Sequence, residues 1–251
     1  MRERNRAEML VEVEQLHDEI KEYMRGDEFL RVADYRAALP TFTNDQIRQI
    51  FKARPDAAEV APRAVFERLG RRLADDQEPV IVINGVELFD IGQTEGDTRT
   101  VLATTLTGKA PARLYQALAT YARQRLGFTV VATKTGLDGM VNGETRYLDR
   151  KIVINANNDP AMKAKTLIHE IGHALMHRRQ PDRRRAEIEA ETFAAVVGAH
   201  FGLDTRPYTV GYVAQWAGTI DDLINAPDRV EVAGWAVEVI AAIEFWLWDN
   251  E

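Results

Sequence analysis

The stretch His169-Glu170-Ile171-Gly172-His173 constrains this chain more than any other. It lies inside a run, roughly 160–178, that reads as one helix opened by Asp159 as N-cap and Pro160 in the first turn. At 3.6 residues per turn, positions i and i+4 share a face, so His169 and His173 can reach one metal ion. Glu170, beside the first histidine, can reach a water on that ion. Two neutral imidazoles and an adjacent carboxylate are what a zinc hydrolase needs to hold its metal and take a proton from water. The flanking Thr166-Leu167-Ile168 and Ala174-Leu175 make the helix apolar around the histidines, and a buried polar pair on such a helix needs partners.

A two-histidine zinc site needs a third protein ligand. His177 shares the face, but eight residues place it about 12 Å from His169 along an unbroken helix. Both cannot bind one ion, so His177 reads as a helix C-terminal cation or a group behind the ligands. The better candidates lie on the next helix, about 182–201. Glu187 and Glu191 share a face there, and Glu189 points roughly opposite. Glu187 is favoured as the third ligand, with Glu189 as the alternative, and Glu191 as acceptor from the second N–H of a ligand histidine. Glu170 is the expected general base and acid. Tyr147, Tyr208, Tyr212 and His200 remain open as donors to a developing oxyanion. The strand 151–155, just before the metal helix, is a candidate edge for pairing with a bound peptide.

The chain has 251 residues, enough for one large or two ordinary domains. Cysteine is absent, so any metal site must be built from His and carboxylates. No run approaches the ~18 apolar residues of a membrane span, and no secretory leader is evident at the N-terminus. A cytoplasmic protein without a membrane partner is expected. The net charge of −7 argues against coating nucleic acid with the whole surface.

Residues 1–24 place Met9, Val13, Leu16, Ile20 and Tyr23 on a narrow helical seam, which favours docking on the protein's own body over a short coiled coil. Helices are expected over about 28–39, from a Thr43–Gln46 capping box to Pro55, and from Pro62 with Val65, Phe66, Leu69 and Leu73 on one face. Asn84-Gly85 between two β-rich runs predicts a hairpin. The expected architecture is α+β, with a small N-terminal unit over 1–92, a linker over 93–111 and a second domain over 112–251. Residues 48–72 hold seven basic side chains (Arg48, Lys52, Arg54, Arg63, Arg68, Arg71 and Arg72) against three acidic ones. That excess could follow a phosphate backbone. Phe51 and Phe66 could stack on bases, although each lies on an apolar helix face that favours the core.

The motifs HEIGHALMH and AEIEAETFA resemble the ImmA/IrrE type of zinc metallopeptidase. More closely, TLIHEIGHALMH, EIEAETFAAVVGAHFGLDT and YVAQWAG resemble the C-terminal domain of ArdC-like antirestriction proteins. TNDQIRQIFKARPDAAEVA, FERLGRRL and LFDIGQTEG resemble that family's single-stranded-DNA-binding domain. The resemblance implies a zincin-like peptidase domain behind a DNA-binding domain, acting in antirestriction or regulation on mobile DNA. It implies His169, His173 and Glu187 as zinc ligands and Glu170 as the catalytic carboxylate. It also supports Arg48, Lys52, Arg54, Arg68, Arg71 and Arg72 as contacts to single-stranded DNA, with double-stranded DNA as the alternative, and a protein or peptide as substrate. The competing expectation is a non-proteolytic single-stranded-DNA-binding antirestriction protein with a structural zinc.

Overall fold

The computed structural model describes residues 5–27, 29, 42, 44–96, 106–108, 113–134, 142–180 and 182–250. The chain divides into two compact units, one of residues 25–103 and one of residues 1–24 with 104–251. Both mix helices with small sheets, an α+β construction. The helix expected over 28–39, Phe29 apart, and most of the expected linker lie outside the described residues, as does Thr43 of the capping box.

Helix α1 (Arg6–Arg25) buries Met9, Val13, Leu16, Ile20 and Met24. The stripe ends on Met24 and leaves Tyr23 half-buried. An untwisted helix drifts by ~20° per heptad away from a 3.5-residue seam, so the last contact slips by one position. The sequence assigned this helix to the N-terminal domain, but it packs within the C-terminal unit. There His17 Nε2 lies 3.0 Å from Thr192 Oγ1, and Arg206 pairs with Glu19. An amphipathic stripe does not say which of two bodies it will cover.

In the unit of residues 25–103, α2 (Asn44–Ala53) is followed by β1 (Val60–Ala61), α3 (Arg63–Glu67), β2 (Arg72–Leu73), β3 (Ile81–Ile83), β4 (Val86–Asp90) and β5 (Thr94–Glu95). The hairpin β3–β4 turns on Asn84 at φ 51° and Gly85 at φ 79°, the two positive values a type I′ turn requires. β4 also pairs with β1, giving an antiparallel sheet of order β1-β4-β3, while β2 pairs with β5. Helix α3 is shorter than its apolar spacing predicts. Gly70, at φ 73°, turns the chain, and Leu73 enters a strand. Phe66, Leu69, Phe89 and Ile91 form the core.

The second unit contains β6 (Thr107–Gly108), α4 (Leu114–Tyr121), β7 (Thr129–Thr133), β8 (Gly143–Arg146), β9 (Lys151–Asn155), α5 (Pro160–Met176), α6 (Arg183–His200), β10 (Leu203–Asp204), α7 (Arg206–Ala217), α8 (Ile220–Asn225) and α9 (Arg229–Asp249). β9 runs parallel to β7 and antiparallel to β8, in the order β7-β9-β8. β9 is therefore the central strand and has no free edge for a peptide; the edges belong to β7 and β8. Its run Ile152-Val153-Ile154 is buried throughout, as a strand covered on both faces should be.

Helices α5 and α6 carry the centre of this unit. Asp159 caps α5 by accepting from the N–H of Met162 at 2.8 Å, and Asp182 caps α6 by accepting from that of Arg185 at 3.2 Å. The two helices touch at Gly172. A Cβ there would stand 3.0 Å from Phe193 Cδ1 and 3.4 Å from the Ala190 Cα, so glycine permits the close approach.

Burial, with the positive charges of Arg229 and Lys21, drives His17 down to about 3. An unfolded histidine takes its proton near 6.5. Between these values the unfolded chain binds one proton more than the folded chain, so stability falls as pH falls, by up to about 1.4 kcal/mol per pH unit from this group. Denaturant unfolding of H17Q between pH 6.5 and 4.5 should show a shallower loss than the parent protein; equal slopes would remove His17 from the account.

Candidate metal centre

The site is built from two helix faces and one strand. His169 and His173 project from α5 with their Nε2 atoms 3.0 Å apart. Glu187 projects from α6, its Oε2 3.5 Å from His169 Nε2 and 3.8 Å from His173 Nε2. Ligand atoms of these three residues lie within 4.8 Å of one another. Tetrahedral zinc with bonds of ~2.0–2.1 Å sets neighbouring ligand atoms about 3.3 Å apart, so the three donors fit such an ion.

The protons make the same case. His169 Nδ1 is 3.0 Å from Glu191 Oε2, and since a carboxylate only accepts, the ring N–H points there and the Nε2 lone pair points into the site. His177 Nε2 is 2.9 Å from Glu189 Oε2, which puts the His177 proton on Nε2 and leaves its Nδ1 as an acceptor. His173 Nδ1, 2.8 Å away, then donates to it. His173 Nε2 is thereby also left with a lone pair. Two lone pairs and a carboxylate oxygen converge on one point, an arrangement that could hold a metal ion.

The ionisation equilibria express the same demand. Burial pulls His169 down, but its bonds to Glu187 and Glu191 prevail and hold it up at about 9. Burial and the charge of His169 drive His173 down to about 3. Burial pushes Glu187 up, yet its bonds to His169 and Tyr212 and the nearby charges hold it at about 2. The centre keeps one positive charge between two carboxylates, as a proton or as a metal ion.

Glu191 is fully buried, and both its oxygens are engaged. Lys165 Nζ at 2.6 Å and His169 Nδ1 share Oε2, and Thr209 Oγ1 donates to Oε1 at 2.8 Å. Glu189 points away from the donor cluster, as its position two residues on from Glu187 demands. Its Oε2 meets His177, and its Oε1 accepts from Arg185 Nε at 2.8 Å and the Asp228 N–H at 2.6 Å.

Glu170 is buried beside His169. Burial raises its pKa, partly offset by the charge of His169 and the hydroxyl of Thr145, which lies 2.7 Å from Oε2. Strand β8 presses on this carboxylate. A Cβ on Gly143 would stand 2.6 Å from Thr166 Cγ2 and 3.1 Å from Glu170 Oε1. Tyr212 donates to Glu187 Oε2 at 3.1 Å and stacks on Tyr208, whose ring faces Lys165 Nζ at 4.2 Å. Tyr147 spends its hydroxyl on the His173 carbonyl at 2.8 Å. His200 pairs with Glu244 at 2.7 Å, near the opposite end of α6, and plays no part here.

Sequence reasoning missed Lys165, Thr145, Thr209 and the His177–Glu189 pair. Lys165 lies four residues from a site histidine, a spacing that could have flagged it; His177 was placed behind the ligands, and only its partner Glu189 escaped. Thr145 and Thr209 carry no such signal.

Among the basic residues of the N-terminal unit, Arg48, Lys52, Arg68 and Arg72 are exposed and Arg54 is half-buried. Arg48 pairs with Asp45, Arg54 with Asp56 at 3.6 Å, and Arg72 with Glu95. Arg71 departs from the expected nucleic-acid face. It is buried, with Nε donating to Thr94 Oγ1 at 2.7 Å and Nη2 to the Thr94 carbonyl at 2.9 Å, so it clamps β5. Phe66 is in the core as expected, whereas Phe51 is 49% exposed.

With this geometry in view, the comparison with known families falls on the same stretch. Residues 123–208 match the model of a peptidase family described as the IrrE N-terminal-like domain. Over 77 residues the chain is 31% identical to an uncharacterized protein of Bacillus anthracis, a match covering 29% of this chain and 13% of that protein. No solved structure matches. The family match runs from before β7 into α7 and holds His169, Glu170, His173 and Glu187.

Partners behind metal ligands typically matter by about 10–100-fold in affinity. H177A and E189Q should each weaken zinc binding within that range in a chelator competition, with the melting curve of the metal-free protein checking the fold. Affinity equal to the parent in both would reduce the pair to packing.

Proposed function

We propose that the C-terminal unit is a zinc-dependent peptidase of the IrrE N-terminal-like type, with His169, His173 and Glu187 as ligands. The observation that carries this reading is the hydrogen-bonding pattern that aims two imidazole lone pairs and a carboxylate at one point beside the buried Glu170. Zinc held there would polarise a carbonyl and bring the pKa of a water toward ~7. Glu170 takes the proton of the attacking water on a carboxylate oxygen and passes it to the departing amine. Its raised pKa suits a group that must both accept and return a proton. Thr145 orients that carboxylate through its hydroxyl. The substrate backbone pairs with the outer edge of β8, which no described strand covers and which stands beside Glu170. The Tyr212 hydroxyl, 3.1 Å from Glu187, is the tyrosine donor proposed for the oxyanion.

The N-terminal unit, whose motifs resemble the ArdC type, is proposed to bind single-stranded DNA in an antirestriction or regulatory role on mobile DNA in the cytoplasm. Arg48, Phe51 and Lys52 support this, being three exposed residues at i, i+3 and i+4 on α2. A flat ring one residue from Lys52, with Arg48 a turn away and paired to Asp45, suits a base and its flanking phosphate.

E170Q should retain about one zinc per chain and lose peptide hydrolysis by about 10²–10⁴-fold. Hydrolysis undiminished in E170Q would reject the assigned base, and antirestriction surviving in it would favour a structural zinc. Single-stranded-DNA binding should weaken with rising salt and in F51A and K52Q, base stacking alone being worth ~1–3 kcal/mol. R71Q should instead lower the melting temperature. Binding indifferent to salt and to both substitutions on α2 would dispose of that surface.

A further inference from the structure

Helix α5 also borders a second cavity. Ala174 and Leu175 lie on average about 170° around the helix from the midpoint of His169 and His173, at 100° per residue, and Arg178 follows just past the helix end at His177. They form one wall of a cavity of about 280 Å³. The chemistry of that cavity comes from Arg125, Arg150, Arg178, Phe128, Tyr147 and Trp235. No carboxylate among the described residues lines it. Glu238, about one turn beyond Trp235, raises the pKa of Tyr121 where Arg125 lowers it, but is not part of the wall.

Three arginines line this cavity in a chain whose net charge is −7. Arg150 is held in place, with Nη2 donating to the Leu126 carbonyl at 2.7 Å and Nε to that of Gly127 at 3.2 Å, and its guanidinium 5.4 Å from the centre of the Phe128 ring. The guanidinium groups of Arg125 and Arg178 make no hydrogen bond or ion pair among the described residues. Structural arginines find carboxylates or carbonyls, whereas two at the mouth of an aromatic-lined cavity leave their forks for a ligand. Phe128 and Tyr147 meet edge to face, 6.3 Å between centroids, and with Trp235 supply flat apolar surface. The volume is near the low end for small-molecule sites and suits one ring with one charged group.

We propose that this cavity binds a small organic phosphate bearing a flat ring. The phosphate meets the arginine forks and the ring lies among Phe128, Tyr147 and Trp235. A phosphate is favoured over a carboxylate because a dianion answers more of the three positive charges. The inference is independent of the peptidase reading, since none of the proposed metal ligands lines the cavity.

The test is calorimetric titration of the full chain with phenyl phosphate at low salt, with and without EDTA. Saturable one-site binding is expected, equal in the two conditions. It should weaken by about tenfold in R178Q or R125Q, corresponding to ~1.4 kcal/mol, and diminish as salt is raised. Inorganic phosphate should bind more weakly than phenyl phosphate, and W235L should abolish that difference. Both arginines substituted are exposed, so melting curves of these variants should match the parent. Absence of saturable binding would overturn the proposal. So would affinity unchanged in both arginine variants, or binding lost with EDTA, which would move the phosphate to a metal.

Discussion

The close contact of α5 and α6 at Gly172 underlies most of what the second unit can do. Imidazole and carboxylate side chains are short, so ligands from two helices meet only when the helix axes come near. Gly172 against Ala190 and Phe193 supplies that approach, one residue from His173 on one helix and within a turn of Glu187 on the other. The crossing also buries Glu191, Lys165 and His169 together. Charges taken out of water are costly unless every valence is met, and here Lys165, His169 and Thr209 meet those of Glu191. The network contributes direction more than stability. The partner held on Nδ1, Glu191 for His169 and His177 for His173, determines which nitrogen of each ring faces the site.

The two histidines reach that state by different routes. His169 addresses a carboxylate directly, while His173 reaches Glu189 through His177. Glu189 is anchored in turn by Arg185 and by the N–H of Asp228, the residue that caps α9. Orientation at the centre is thus tied to how α9 meets α6, some distance from any reacting atom.

The local features were the legible ones. Helix α5, its Asp159 cap, the inward histidines and the Asn84-Gly85 turn all follow from spacing and backbone preference within a few residues. What escaped was decided by residues distant in sequence. Arg71 reads as one more surface cation until Thr94 and Gly96, more than twenty residues on, take its guanidinium. Phe51 sits on an apolar helix face, and its exposure depends on what packs against the other side. β9 reads as an edge until β8 is known to cover it. The position of His177 was rejected correctly as a ligand by rise per residue, but its link to Glu189 needed the angle between two helices.

The contact between His17 and Thr192 joins residues 175 apart in the chain. During synthesis at ~5–20 residues per second, α1 leaves the ribosome roughly 10–35 s before the surface it covers exists. For that interval its apolar stripe has no native partner, and the intervening unit of residues 25–103 is made first. The dense charges flanking the stripe, from Glu8 to Lys21, then serve a second purpose: they keep an early and solitary helix in solution until α6 arrives to receive it.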